Sequence, residues 1–435
     1  MRNLLGSGSF KSVSLFLFLT FVAASVFDKN LFQFVDDQSF ADFQKDSEAL
    51  VVGNIVADDL HVQKDGAHLG MITKGTIYRP EHMLESYDIL AGEAPGVVNF
   101  HAYRSQYGIQ GIAFSRIHQY LRFGKLSHLR RINSVLLAVV LVSFFFLYRR
   151  IYDHRFAVIF LATMVCSPWV IWFARNLYWA PFLWFVPALL AAMLYLARGT
   201  KTRAVLLLGI AFAVFMKSLA GYEYITTVVL FTCSVFVIGP FFKGTEQSPV
   251  IDWRMLLLVF TACCVGFLGA LLIHARTRGD TIVAGLQAIY RGEVQRRLYG
   301  DPSLFGQPNI KASLEASPLA VVHRYIANWH SDLVAWLPGY LFKLLIGVAV
   351  AGIVYKLLVR HNTRWRDLVV FASLFVVPVS WFVIGKAHSF DHPHMNFVLW
   401  YFGFVAALVY VAFNTVAVLV LAFRDWVKTA DAKDF

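Results

Sequence analysis

Long apolar runs alternate along this chain with short polar breaks, and most approach the length of about 20 residues that a helix needs to cross a hydrocarbon core. The runs fall at 12–27, 132–148, 156–174, a fourth ending at Leu196, 204–216, 224–242, 255–273, 333–358, 368–384 and 397–423. The pattern predicts an all-α polytopic membrane protein with about ten transmembrane helices. Two long polar stretches, 28–131 and 274–332, interrupt the series. The chain thus divides into a first span (1–27), a large loop (28–131), spans two to seven (132–273), a second loop (274–332), spans eight to ten (333–423) and a tail (424–435). Val22-Ala23-Ala24-Ser25, after a run preceded by Arg2 and Lys11, loosely resembles a cleavage site. The many runs that follow favour an uncleaved first span. Late in the large loop, over 107–123, Ile109, Ile112, Phe114, Ile117 and Tyr120 keep helical spacing and predict a helix lying on the membrane surface.

Charge sets the orientation. Arg149, Arg150 and Arg155, then Arg198, Lys201 and Arg203, then Arg360, Arg364 and Arg366, and finally Arg424 fall in short segments that the alternation places on one side. Translocation disfavours Lys and Arg in such segments, so this side is cytoplasmic and both termini lie there. Both long loops then face outward. The chain of 435 residues is 58% hydrophobic and 15% charged, more apolar side chain than a soluble fold of this size could bury. Its net charge of +12 sits largely in the short loops, and no basic–aromatic stripe points to a nucleic-acid partner. Cys166, Cys233, Cys263 and Cys264 lie inside apolar runs and read as small buried hydrophobes.

Four sets of residues on the outer side could carry chemistry. In Lys45-Asp46-Ser47-Glu48, Asp46 or Ser47 suits a helix cap, and Leu50, Val51, Val52, Ile55 and Val56 give the following helix an apolar face. Glu48 then occupies the first turn, with Asp58 and Asp59 about three turns later. Any of these acids could take a proton from an attacking hydroxyl, or simply suit the helix dipole and solvate a loop. The second set is Arg175-Asn176-Leu177-Tyr178-Trp179, where Arg175 either snorkels or meets a ligand phosphate. In the third set, Lys217 through Glu223, Lys217 pairs with Glu223 or joins Tyr222 and Glu223 in facing a cavity. The fourth set holds Lys386, His388, Asp391, His392 and His394. Its spacing matches no zinc pattern and suits an anionic phosphate better, with His274 and Arg276 as additional ligands.

This layout resembles the GT-C superfamily of integral-membrane glycosyltransferases, in which a first span leads into a large outer loop with the catalytic carboxylate near its start. Asp46-Ser47-Glu48-Ala49-Leu50 occupies that place, and Ser47 departs from the usual paired acids, so the base is Asp46 or Glu48. Tyr103 to Gly111, Arg175 to Trp179 and Lys217 to Glu223 are similar to segments of bacterial proteins of this kind. The resemblance implies an enzyme of the bacterial inner membrane with its site on the periplasmic face and a polyprenyl-phosphate-linked sugar as donor. The acceptor would be a glycan, lipid or protein hydroxyl. A monophosphate carrier held by cations would need no metal or other cofactor. An O-antigen polymerase or ligase, whose mark is an arginine-rich outer loop like the second loop here with Arg276, Arg278, Arg291, Arg296 and Arg297, and a transporter built from two related halves are the competing readings.

Overall fold

A computed structural model describes residues 7–75, 80–121, 125–242 and 249–431. Arg2, Phe123 and the last four residues of the tail lie outside them. Among the described residues eight helices are long and apolar enough to cross a membrane, nine if the bent pair described below forms one span, so the chain is an α-helical polytopic membrane protein.

Helix α1 (Ser7–Lys29) leads into the large loop, which holds α2 (Asp37–Asp42), α3 (Lys45–Asp59), β1 (Gly70–Lys74), α4 (Glu85–Leu90), β2 (Val98–Ala102) and α5 (Ile109–Leu121). The strands pair antiparallel, with Gly70 opposite Ala102 and Ile72 opposite Phe100. This hairpin is absent from the sequence reading. Helix α3 is capped neither by Asp46 nor by Ser47: Gln44, in a left-handed conformation with φ of 53°, precedes it and accepts a hydrogen bond from the Ser47 hydroxyl at 2.9 Å. Every residue of α3 from Glu48 to Ala57 is buried, so it forms the core of the loop instead of lying on a surface. Gly53 makes this possible, because a Cβ there would collide with the Gly70 carbonyl. Helix α5 also turns inward, burying Gln110, Gly111, Phe114 and Ser115 while Tyr120 points to solvent.

The bundle continues with α6 (Leu126–Ile151), α7 (His154–Val165), α8 (Pro168–Ala174), α9 (Phe182–Leu196), α10 (Thr200–Ala220), α11 (Ile225–Ile238) and α12 (Trp253–Arg278). At 26 residues, α6 is about 39 Å long, enough to span with residues to spare. The predicted third span is broken: α7 and α8 meet at 62°. The cause is local. Pro168 has no N–H to continue the α7 ladder, and the Ser167 hydroxyl caps the new start by accepting from the Val170 N–H at 3.2 Å. Helix α9 is the short member of the set, at 15 residues.

In the second loop lie α13 (Ile282–Ile289), a π turn (Tyr290–Val294), α14 (Gln295–Arg297), α15 (Pro308–Glu315) and α16 (Pro318–Ala327). Then come α17 (Leu341–Leu358), α18 (Arg364–Ile384), α19 (Lys386–Asp391), α20 (Pro393–Asn396) and α21 (Phe404–Asp431). The eighth predicted span therefore starts late. The tenth is split at Gly403, whose φ of +89° ends a 3-10 turn before α21 begins. Helix α21 then runs through the predicted tail boundary as far as Asp431.

Packing inside the bundle is aromatic, as in the Tyr325–Phe382 stack at 4.1 Å and the Phe185–Phe402 stack at 4.7 Å. Helix α12 lies close along α10, where a Cβ at Gly266 would collide with the Ala211 carbonyl, and stands further from α11. That spacing opens the groove described next.

Candidate functional site

The predicted acids separate by environment. Glu48 is buried, and its carboxylate accepts from the Arg130 guanidinium, the Tyr87 hydroxyl at 2.9 Å and the Leu177 N–H at 3.2 Å. These bonds tie α3 to α4, α6 and the segment after α8, and they occupy both carboxylate oxygens. Asp58 accepts from Lys64 and from the Ser115 hydroxyl, each at 2.6 Å, and Asp59 meets His118 at 3.1 Å. Both sit at the far end of α3, about 18 Å from Asp46 by helical rise, and pin α3 to its neighbours. At the start of the helix Asp46 is exposed, whereas Glu48 is buried.

The predicted cations are mostly committed to backbone carbonyls. Arg175 donates to Phe40 at 2.8 Å and lies 4.0 Å over the Phe40 ring, clamping the segment that leads into α3. Lys217 donates to the carbonyls of Gly221 (2.5 Å) and Glu223 rather than to the Glu223 carboxylate, closing the turn between α10 and α11. Lys386 donates to Leu314 and, at 2.8 Å, to Ala316 at the end of α15. His274 is fully buried: Nε2 donates to the Arg104 carbonyl at 3.2 Å, leaving Nδ1 to accept from the Tyr222 hydroxyl at 3.0 Å. Arg276, two residues further along α12, is exposed and lines a separate cleft with Arg104 and Arg278.

The Glu223 carboxylate accepts from Arg297 at 2.5 Å and from Gln106 at 2.8 Å. Burial works against its charge, but Arg297 and Lys217 outweigh it and hold the carboxyl below the usual carboxylate range. Arg297 also meets Glu293 at 3.1 Å.

Beside this cluster lies the histidine turn. The His388 and His392 rings are 4.9 Å apart, and those of His392 and His394 are 5.7 Å apart. Burial, then the nearby Arg297, pushes His388 well below the ordinary histidine value. Burial also lowers His392 and His394, against the pull of Asp391 on both. Asp46 acts electrostatically on His394, and Arg296 acts on His388 and His392. Asp46 and Arg296 are exposed, α14 packs against α19, and Asp46 lies within electrostatic reach of His394. Arg296 and Arg297 were read from sequence only as part of a basic loop. The one signal of their importance was an adjacent arginine pair in a segment with no cytoplasmic role.

An apolar cavity of about 590 Å³ opens between α11, α12 and α18, with Glu223, Arg297, Glu293 and Gln106 at its polar end. A second cavity of about 460 Å³ continues it toward Trp253 and Val237, and Leu230 and Phe260 line both. Together they follow α11 from Ile225 to Val237, about 18 Å of helical rise against a hydrocarbon core of about 30 Å. Such a groove suits a long apolar chain carrying a polar head. Among the described residues, no three His, Cys, Asp or Glu side chains gather closely enough to hold a metal ion. Comparison with family models, curated proteins and solved structures finds no match to this chain.

Proposed function

We propose that the chain is a glycosyltransferase of the bacterial cytoplasmic membrane, with ten spans, both termini in the cytoplasm and its site on the outer face. It moves a sugar from a polyprenyl-phosphate carrier to an acceptor hydroxyl. The observation that carries this reading is the groove along α11, which runs most of the depth of the hydrocarbon and ends at an ionic cluster. A lipid-linked donor fits that combination, since its tail would remain in apolar surroundings while its head reaches the polar end.

Asp46 is the base in this reading. A base needs an oxygen that is not already occupied, and Glu48 has none to offer. The Asp46 carboxylate takes the acceptor hydroxyl's proton as the acceptor oxygen bonds to the anomeric carbon. The carbon–oxygen bond to the carrier breaks, and its electron pair leaves on the phosphate. Arg296, exposed beside the histidines, is the cation placed to stabilise that charge. Glu48 positions the start of α3 through Arg130. The carboxylates of Glu223 and Glu293 supply acceptors for sugar hydroxyls at the mouth of the groove.

The test is deletion of the gene in its native host, with glycans, lipids and glycoproteins compared by mass spectrometry. Loss of a single sugar mass, restored by wild type and not by well-expressed Asp46→Asn, is the expected result. Glycans shortened by whole repeat units would make the protein a polymerase. No change in any fraction would remove the enzyme reading and favour a transporter.

A further inference from the structure

A third cavity, of about 520 Å³, lies at the outer end of α12, lined by Arg104, Arg276, Thr277, Arg278, Gly279, Asp280 and Ala288. We propose that this arginine cleft is a binding site for a phosphate-bearing ligand, separate from the groove. The inference does not depend on the transferase reading.

The cleft holds three guanidinium groups against one carboxylate. Among the described residues no ion pair engages Arg104, Arg276 or Arg278. Like charges gathered this closely repel unless an anion joins them, and a guanidinium fork matches two phosphate oxygens at once. The arrangement is also held in place. The Arg104 carbonyl accepts from both His274 Nε2 at 3.2 Å and Arg278 at 2.5 Å, and Arg104 itself donates to the Asp65 carbonyl at 3.0 Å. Arg278 and Arg104 each spend only one of their five N–H groups on these bonds, so most donors remain available. Among the described residues none bonds to the Arg276 guanidinium, so all of its donors are open to a ligand.

Position narrows the ligand further. Leu272 and Ile273, exposed about one turn before Arg276, belong to an apolar helix surface that continues with Leu268 and Val265. Arg276 and Arg278 therefore stand where the apolar surface of α12 ends, at the depth of lipid phosphates. The cleft and the groove lie on either side of α13, with Ala288 lining one and Ile289 the other. The shared chemistry is a phosphate group, carried either by an anionic lipid of the surrounding leaflet or by a soluble compound.

The experiment uses the purified full-length chain in uncharged detergent. Native mass spectrometry with phosphatidylglycerol and phosphatidylcholine probes the lipid source, and calorimetry with inorganic pyrophosphate probes the soluble one. At least one anionic probe should bind, with affinity about tenfold weaker in Arg276→Gln, as for loss of a charged hydrogen-bonding pair. The triple variant Arg104→Gln, Arg276→Gln, Arg278→Gln should lose it. Retention of phosphatidylglycerol over phosphatidylcholine would identify a lipid headgroup, and binding of pyrophosphate alone a soluble anion. Arg276→Gln keeps every internal contact, so it decides the matter even where the triple variant does not fold. Equal binding by wild type and Arg276→Gln, or no preference for either anionic probe, would overturn the proposal.

Discussion

At the end of the bundle that carries the short basic loops, Lys356 donates to Asp367 across 2.6 Å, and both side chains are wholly excluded from solvent. Thr415, Asn414 and Arg366 complete their surroundings, joining α17, α18 and α21. At the other end, Arg297 donates to Glu223 across 2.5 Å, also almost buried, with Gln106 and Glu293 around them. The two clusters look alike as lists of contacts. They differ in what lies beside them. The first is held among α17, α18 and α21, whereas the second closes the polar end of a large cavity. A buried ion pair by itself is weak support for function, because structural clamps have the same form. The open volume next to the second pair is what marks it as part of a site.

The comparison can be broken first at its most rigid point. Lys356→Met leaves Asp367 buried without its partner and should destabilise the protein by about 3–5 kcal/mol, read by denaturant titration in detergent. The double variant Lys356→Met, Asp367→Leu should recover much of that loss. If the single variant is neutral, the pair is not a clamp. Glu48→Gln weakens the bonds from Arg130 that anchor α3, with an expected loss of about 1.5–3 kcal/mol in the same titration. Gly53→Ala forces a methyl against the Gly70 carbonyl and should cost about 1–3 kcal/mol.

A pH series sharpens the outer end. His388 is held neutral in the folded chain, with its value pushed well down by burial. As pH falls through the ordinary histidine range, near 6.5, the unfolded state takes up a proton that the folded state refuses, so stability should decline below that point. Melting temperature followed from pH 8 to pH 5 should fall less steeply in His388→Asn than in wild type. The smallest structural effect is expected at the residue with the largest chemical one. Asp46→Asn, at an exposed position, should alter stability by less than about 0.5 kcal/mol while abolishing sugar transfer.

The spans were legible because helices such as α6 and α12 combine long apolar runs with basic ends, and hydropathy alone identifies them. The break at Pro168 was visible as a proline, yet only the bend shows that it divides a span. The β1–β2 hairpin escaped notice because its strands are five residues each and carry little pattern. Within the site, residue type suggested candidates and could not tell their partners. Glu48 meets Arg130, 82 positions away, and Lys217 and Lys386 spend their charge on nearby carbonyls. Nothing in local sequence distinguishes a lysine that caps a helix from one that waits for a phosphate. The same is true of Arg296 and Arg297, whose relation to the histidine turn depends on how the second loop folds back on α19.

The most direct test of the groove is to identify the lipid that the protein carries out of its own membrane. Native mass spectrometry of the chain purified from its host should detect a bound isoprenoid phosphate. That species should be lost when Leu230→Trp and Ser380→Trp fill the cavity without altering elution or melting. If no isoprenoid species is retained above the level of a control membrane protein, or if the filled variant retains as much, the groove does not hold a lipid-linked donor.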